Sequence, residues 1–246
     1  MSKIIGIVGG MGTYAGIDLL KKVADNTNAM GDRDHLPVAM LSLPGEITDR
    51  SEYLFGEADE NPGYAIARIV RQLSEIGAEV FGLPCNTAHV PEILQPVIDK
   101  LPEGGILVNM ISEVATYISY AYPGINNVGI MGTNGVYRSR VYDEYMKAAG
   151  LSTVYPDEEV QYRMVHPAIY DMEYGIKAVS DPVSMRARSD LMSVARMLIA
   201  KGAQIIILGC TEIPLALTGD NIDDMPFIDA GHILAKALIR EARAQG

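Results

Sequence analysis

This 246-residue sequence predicts an α/β fold of two similar parallel-sheet domains, related by a pseudo-two-fold duplication, with the active site in the interdomain cleft. Three observations carry that expectation. Short apolar runs alternate with segments of helical spacing along the whole chain, the order that gives parallel sheets with helices on both faces. The stretch GAEVFGLPC (Gly77–Cys85) aligns without a gap under GAQIIILGC (Gly202–Cys210), matching Gly77 with Gly202, Ala78 with Ala203, Leu83 with Leu208 and Cys85 with Cys210. At nearly the same offset, Gly6, Ile7, Gly9, Gly12 and Tyr14 recur as Gly129, Ile130, Gly132, Gly135 and Tyr137. A period of about 125 residues is too long for a solenoid and fits two halves of similar size.

The first half opens with an apolar, glycine-bounded strand at Ile4–Val8 and a turn at Gly9–Gly12. Tyr14–Thr27 then places Ile17, Leu20, Val23 and Ala24 at helical spacing. Val38–Leu43 reads as a strand stopped by Pro44-Gly45, and Pro62–Ile76 as a helix with Ile66, Ile69, Val70 and Leu73 on one face and Gly77 as its stop. Strand Val80–Leu83 follows, then a helix over Pro91–Leu101, strand Ile106–Val108 and a helix around Glu113–Tyr120. The second half restarts with strand Val128–Met131, helix Tyr137–Ala149 and strand Ser152–Val154. An acidic loop and a polar-aromatic segment, His166–Lys177, lead to helix Ser184–Lys201, strand Ile205–Leu208, strand Met225–Phe227 and helix Gly231–Ala244. Only a short connection separates Leu217 from Met225, so the last strand and helix are expected to cross back onto the first half. The predicted domains are therefore residues 1–115 with 223–246, and residues 116–222.

Composition excludes several classes. A net charge of −11 repels phosphate backbones and argues against nucleic acid as a partner. There is no apolar run of about 18 residues, so no membrane-spanning helix is expected. The start, MSKIIGIVGG, runs directly into a core strand and has no secretory pattern, which reads as a cytoplasmic protein. Its two cysteines, in a reducing compartment, are expected to be free thiols, and their spacing is unlike a zinc site, so no metal is expected.

In such sheets ligands bind at the carboxyl ends of strands, where the glycine turns and both cysteines fall. The order G-I-V-G-G-M-G at Gly6–Gly12 lacks a dinucleotide fingerprint. It reads instead as a turn that lets backbone N–H groups approach a small anion, or as a purely structural turn. Cys85 and Cys210 read either as inert buried thiols or as an acid–base pair, one thiolate and one thiol on opposite faces of a single carbon. A disulfide is the competing reading. Asn86, Thr87, Thr133 and Thr211 follow strand ends, as helix caps or as donors to a carboxylate. Arg50 and Lys177 lie in loop-like stretches, where a solvated charge is the default. His89 and His166 read as acid–base groups or as residues that orient a neighbour. Glu212 tunes the adjacent Cys210 or caps a helix.

GGMGTYAG (Gly9–Gly16), PCNTAH (Pro84–His89) and GCTE (Gly209–Glu212) resemble the aspartate/glutamate racemase superfamily, specifically its aspartate racemase branch, over essentially the whole chain. The resemblance implies proton exchange at Cα by a cysteine pair, with no pyridoxal phosphate or other cofactor, no metal, and a homodimer. At the matching positions it implies Cys85 and Cys210 as the two bases. Asn86, Thr87, Thr133 and Thr211 would then lie around the substrate carboxylate, with Met11 and Gly12 on the cleft wall and Glu212 beside Cys210. Asp49-Arg50-Ser51 and Gly175-Ile176-Lys177 look like the segments whose Arg and Lys hold a side-chain carboxylate, which favours aspartate as the amino acid bound. Glutamate racemases resemble D-S-G at the first turn and C-T-H at the second cysteine; Gly10-Met11-Gly12 and Cys210-Thr211-Glu212 depart from both. By analogy with those enzymes Cys210 serves the L form and Cys85 the D form. The expected activity is thus interconversion of L- and D-aspartate. The alternatives are a glutamate or broad-specificity racemase, a hydantoin racemase, maleate isomerase or arylmalonate decarboxylase on the same scaffold, and a non-enzymatic amino-acid sensor.

Overall fold

The computed structural model describes residues 2–217, 219, 221, 222 and 224–244. Residues 1, 223, 245 and 246, at ends of the expected domain ranges, lie outside the described residues. The chain divides into two compact units, Met1–Glu113 with Gly231–Gly246, and Val114–Ala230. In the first, strands β1 (Ile4–Gly9), β2 (Val38–Ser42), β3 (Ala78–Gly82) and β4 (Ile106–Leu107) form a parallel sheet in the order β2-β1-β3-β4. Ile5, Ile7 and Val8 of β1 are fully buried, as a strand covered on both faces requires.

Helices α1 (Thr13–Asn26), α2 (Arg50–Leu54), α3 (Pro62–Glu75) and α4 (Pro91–Asp99) connect these strands, and α5 (Met110–Ala121) leaves them. Helix α3 shows how local sequence sets an element. Asn61 Oδ1 accepts the Gly63 N–H at 2.8 Å, and Pro62 takes the first turn, where no intrahelical donor is needed. Ile66, Ile69, Val70 and Leu73 then bury one face against the sheet.

The second unit holds β5 (Asn127–Gly132), α6 (Asn134–Ser139), α7 (Asp143–Ala148), β6 (Ser152–Val154), α8 (Glu158–Val160), α9 (His166–Tyr170), α10 (Met185–Ala200), β7 (Ile205–Gly209), α11 (Ile213–Ala216), β8 (Asn221–Ile222) and β9 (Met225–Asp229). Its strand order is β6-β5-β7-β9-β8, parallel except for β8 against β9. The first four positions repeat the order of the first sheet. The final helix, α12 (Ala230–Arg243), belongs to the first unit from Gly231 onward.

Three expectations are corrected. The last strand does not cross to the first half: β9 pairs with β7, Ile206 opposite Phe227 and Ile207 opposite Ile228. A buried Ile228 completes the apolar layer beside β7, and only the helix after it crosses. The helix expected over Tyr137–Ala149 is two helices, because Arg140 adopts the left-handed conformation (φ 54°) and ends α6. The acidic loop is helical, with a π-turn at Gln161–Val165 joining α8 to α9. No helix among the described residues is long and apolar enough to cross a membrane.

Candidate active site

Both cysteines sit where the repeat puts them, just past the carboxyl ends of β3 and β7, and both are free thiols. Each is nearly buried, 7% exposed at Cys85 and 6% at Cys210. Among the described residues no group of three or more His, Cys, Asp or Glu is placed to hold a metal ion.

In the first unit the chain turns sharply at Cys85, whose N–H donates to Leu83 O at 2.8 Å. Asn86, Thr87 and His89 follow as a buried helical turn. His89 fastens this turn. Its Nδ1 lies 2.9 Å from Cys85 O and its Nε2 accepts the Met110 N–H at 3.2 Å. One ring nitrogen must therefore donate and the other accept, which is the neutral imidazole. Burial, opposed by hydrogen bonds to the Cys85 and Val108 backbone, pulls its pKa down to about 4. His89 thus orients the Cys85 peptide.

Helix α2 packs against the Thr87–His89 turn. Asp49 caps it, Oδ1 accepting from Ser51 N at 2.7 Å and Glu52 N at 3.2 Å. Arg50 lies in a stretch that reads as loop-like, with a solvated charge as the default, but it opens this helix and is 7% exposed. Its Nη2 donates to Met11 O at 3.2 Å and lies 3.8 Å from Asp49 Oδ2; Nη1 reaches Thr48 O at 3.4 Å. Arg50 thus braces the glycine turn, where Gly12 precedes α1 and Met11 shares a buried cluster with Cys85.

In the second unit Gly132 of β5 pairs with Gly209 of β7, so Thr133 and Cys210 leave neighbouring strands at the same level. A Cβ on Gly132 would lie 2.7 Å from Gly209 O, which explains a glycine at this step. Thr133 caps α6, its Oγ1 accepting the Val136 N–H at 3.3 Å. Cys210 Sγ donates to Glu212 Oε2 at 3.6 Å, and the same oxygen takes Lys177 Nζ at 2.5 Å. Glu212 makes no capping bond to α11, so of its two readings the thiol contact is the one realised. The Lys177 ammonium also faces the Tyr170 ring, 5.3 Å from its centroid. Thr211 is 3% exposed, tucked between Cys210 and Glu212 in the chain.

Each unit therefore gathers part of the expected set: Met11, Gly12, Arg50, Cys85, Asn86 and Thr87 in one, Thr133, Lys177, Cys210, Thr211 and Glu212 in the other. Three further residues of the second unit support its strand ends and carry no reading from the sequence. Gln161, fully buried in the π-turn, donates through Nε2 to Gly132 O and Asn134 Oδ1, both at 3.0 Å, and so holds the turn that carries Thr133. Tyr142 is fully buried; burial and the charges of Asp229 and Cys210 drive its phenol pKa up, so it stays protonated. Asp229 ends β9 beside Leu208. Gln161 was hidden inside a polar run read as loop, whereas an aspartate ending a strand, as in MPFID, is a usable signal. His166, like His89, serves the backbone: its Nδ1 accepts the Asn134 N–H at 3.4 Å and its ring stacks on Tyr170.

Strand-terminal thiols thus recur in two parallel sheets of like strand order, each amid buried polar neighbours. The chain belongs to the Asp/Glu/Hydantoin racemase family, whose model matches residues 8–238, and it is an amino-acid racemase. It is 28% identical over 244 residues to the broad specificity amino-acid racemase RacX of Bacillus subtilis, covering 96% of each chain. It is 28% identical over 236 residues to a glutamate racemase of Pseudomonas putida, covering 95% of this chain and 77% of that one. The aspartate racemase of Picrophilus torridus superposes with a TM-score of 0.79 at 30% identity, covering 98% of this chain and 94% of that one.

Proposed function

We propose that the protein interconverts L- and D-aspartate without a cofactor, using Cys85 and Cys210 as the two acid–base groups. The observation that carries this reading is the pair of free, nearly buried thiols at matching strand ends. One thiolate takes the Cα proton while the other thiol returns a proton to the opposite face, and the roles reverse for the other enantiomer. The α-proton is weakly acidic, so the developing negative charge on the α-carboxylate needs donors; Asn86, Thr87, Thr133 and Thr211 supply them. Arg50 and Lys177 fix the side-chain carboxylate, which supports aspartate over a neutral amino acid, as does the likeness to the Picrophilus torridus enzyme. We further propose a cytoplasmic enzyme and, on the family resemblance, a homodimer.

A panel of L-amino acids, incubated with the purified protein and separated by chiral chromatography, tests the substrate. Aspartate should racemise fastest and exchange its Cα proton in heavy water. Cys85→Ser and Cys210→Ser should each lose racemisation by at least about a hundredfold with the fold intact. Full turnover by either variant would contradict the two-base scheme. A specific observation favours a second reading. Lys177 already neutralises Glu212, which suits a broader range of side chains; comparable turnover of alanine and aspartate would select it.

A further inference from the structure

A single carboxylate oxygen in the second unit serves two partners of different chemistry. Glu212 Oε2 lies 2.5 Å from Lys177 Nζ and 3.6 Å from Cys210 Sγ. The Glu212 side chain is 4% exposed and that of Lys177 is 20% exposed. The lysine is therefore the end of the ion pair that solvent reaches, and the carboxylate is the end buried against the thiol.

While the ammonium rests on Oε2, the negative charge of the carboxylate is compensated, and the same oxygen accepts the Cys210 S–H. Draw the ammonium toward another anion and the balance changes. The negative charge on the buried Glu212 is then left without its ion-pair partner, and the adjacent thiol is the proton source that can neutralise it. Tyr142, which interacts electrostatically with this sulfur, stays protonated and so is no base for it.

We propose that Glu212 makes deprotonation of Cys210 depend on what Lys177 binds: the side-chain carboxylate of a dicarboxylic amino acid takes the ammonium, and Glu212, so released, takes the thiol proton. In that step the S–H bond breaks, the proton moves to a Glu212 carboxylate oxygen, and sulfur keeps the electron pair. Once Cys210 has taken the Cα proton and Cys85 has given up its own, Glu212 sheds its proton to solvent and Cys85 regains one as the product leaves. The inference rests on the reading that Lys177 meets the distal carboxylate of the substrate. Its consequence is that acidic side chains are selected in kcat as well as in KM, because a neutral amino acid leaves Lys177 on Glu212.

Two measurements test it. In steady-state kinetics with aspartate, Glu212→Gln should lower kcat about tenfold or more, with KM unchanged or lower because Lys177 is no longer held. A kcat within about twofold of the parent would reduce Glu212 to an anchor for Lys177 and overturn the inference. The second measurement uses Cys85→Ser protein, in which Cys210 is the remaining thiol, and follows ultraviolet thiolate absorbance at fixed pH. Succinate should raise it, propionate should not, and the response should vanish when Glu212→Gln is added. Succinate that binds by calorimetry without raising the thiolate signal overturns the coupling and leaves the substrate assignment standing. If succinate fails to bind and aspartate is not racemised, the substrate assignment itself fails and the coupling falls with it.

Discussion

Cys85 and Cys210 occupy equivalent positions with different support behind them. Cys85 has a neutral imidazole on its carbonyl; Cys210 has a carboxylate on its sulfur. The histidine makes stability depend on pH in a defined window. His89 takes a proton near pH 6.5 in an unfolded chain and only at about 4 in the fold. Between those values the unfolded state holds the extra proton, so this contribution is complete above about pH 6.5 and is lost as pH falls toward 4. His89→Asn should cost about 1–3 kcal/mol at neutral pH by leaving the buried Met110 N–H without its acceptor. In urea titrations the gap to the parent should shrink between pH 7 and pH 4; a constant gap would show that His89 is not the titrating group. The cysteines themselves were legible in the sequence, because the duplication marks them. The link from Lys177 through Glu212 to Cys210 was not. It joins residues far apart in the chain, and nothing in G-x-K spacing says where an ammonium will rest.

The element that most repays attention is the short helix α2, which begins at Arg50 and keeps that side chain buried beside the glycine turn. Periodicity cannot reveal a helix this short, and Arg50 was read as a loop residue for that reason. The cap was visible, since Asp49 precedes Ser51 and Glu52 in the pattern of an N-terminus. Asp49→Ala should cost about 1 kcal/mol through the lost cap and should raise KM for aspartate by loosening Arg50. The turn it braces is constrained as well. Gly10 has φ 94°, and a Cβ there would lie 2.9 Å from Pro44 N. Gly10→Ala should destabilise the protein by about 1–3 kcal/mol in thermal or chemical melts. Parity with the parent would mean that the turn relaxes at no cost. The π-turn around Gln161 escaped the sequence for a different reason: an acidic, polar run has the composition of a loop, and its helical state depends on tertiary contacts such as Gln161 to Gly132 O.

At the scale of the molecule, the first four strand positions of the second sheet repeat the order of the first, in keeping with the two similar parallel-sheet halves that the duplication in sequence predicts. Of the last elements the crossing of the helix was anticipated and the place of the strand was not, because strand pairing depends on which edge offers an apolar seat. Most of α5, after the fourth strand of the first sheet, falls in the second unit, while α12, after the fourth strand of the second, falls in the first. What holds α12 is burial more than charge. Leu238 is fully buried, and its side chain occupies the space where Gly82 would carry a Cβ. Arg240 is 57% exposed where it meets Glu113 in a paired contact at 2.7 and 3.0 Å. Leu238→Ala should therefore cost about 2–5 kcal/mol, against less than about 1 kcal/mol for Arg240→Ala. A reversal of that order in denaturant titrations would show the ion pair to be the main tie.

The unlike support of the two sulfurs has a kinetic corollary. Enantiomers have equal free energies, so kcat/KM must be the same for mirror-image starting materials whatever surrounds the thiols. On the proposed two-thiol mechanism the asymmetry surfaces in kcat and KM taken separately, through unequal populations of the two proton tautomers. Progress curves begun at saturation from pure L and from pure D should then differ in shape while converging on the same racemate.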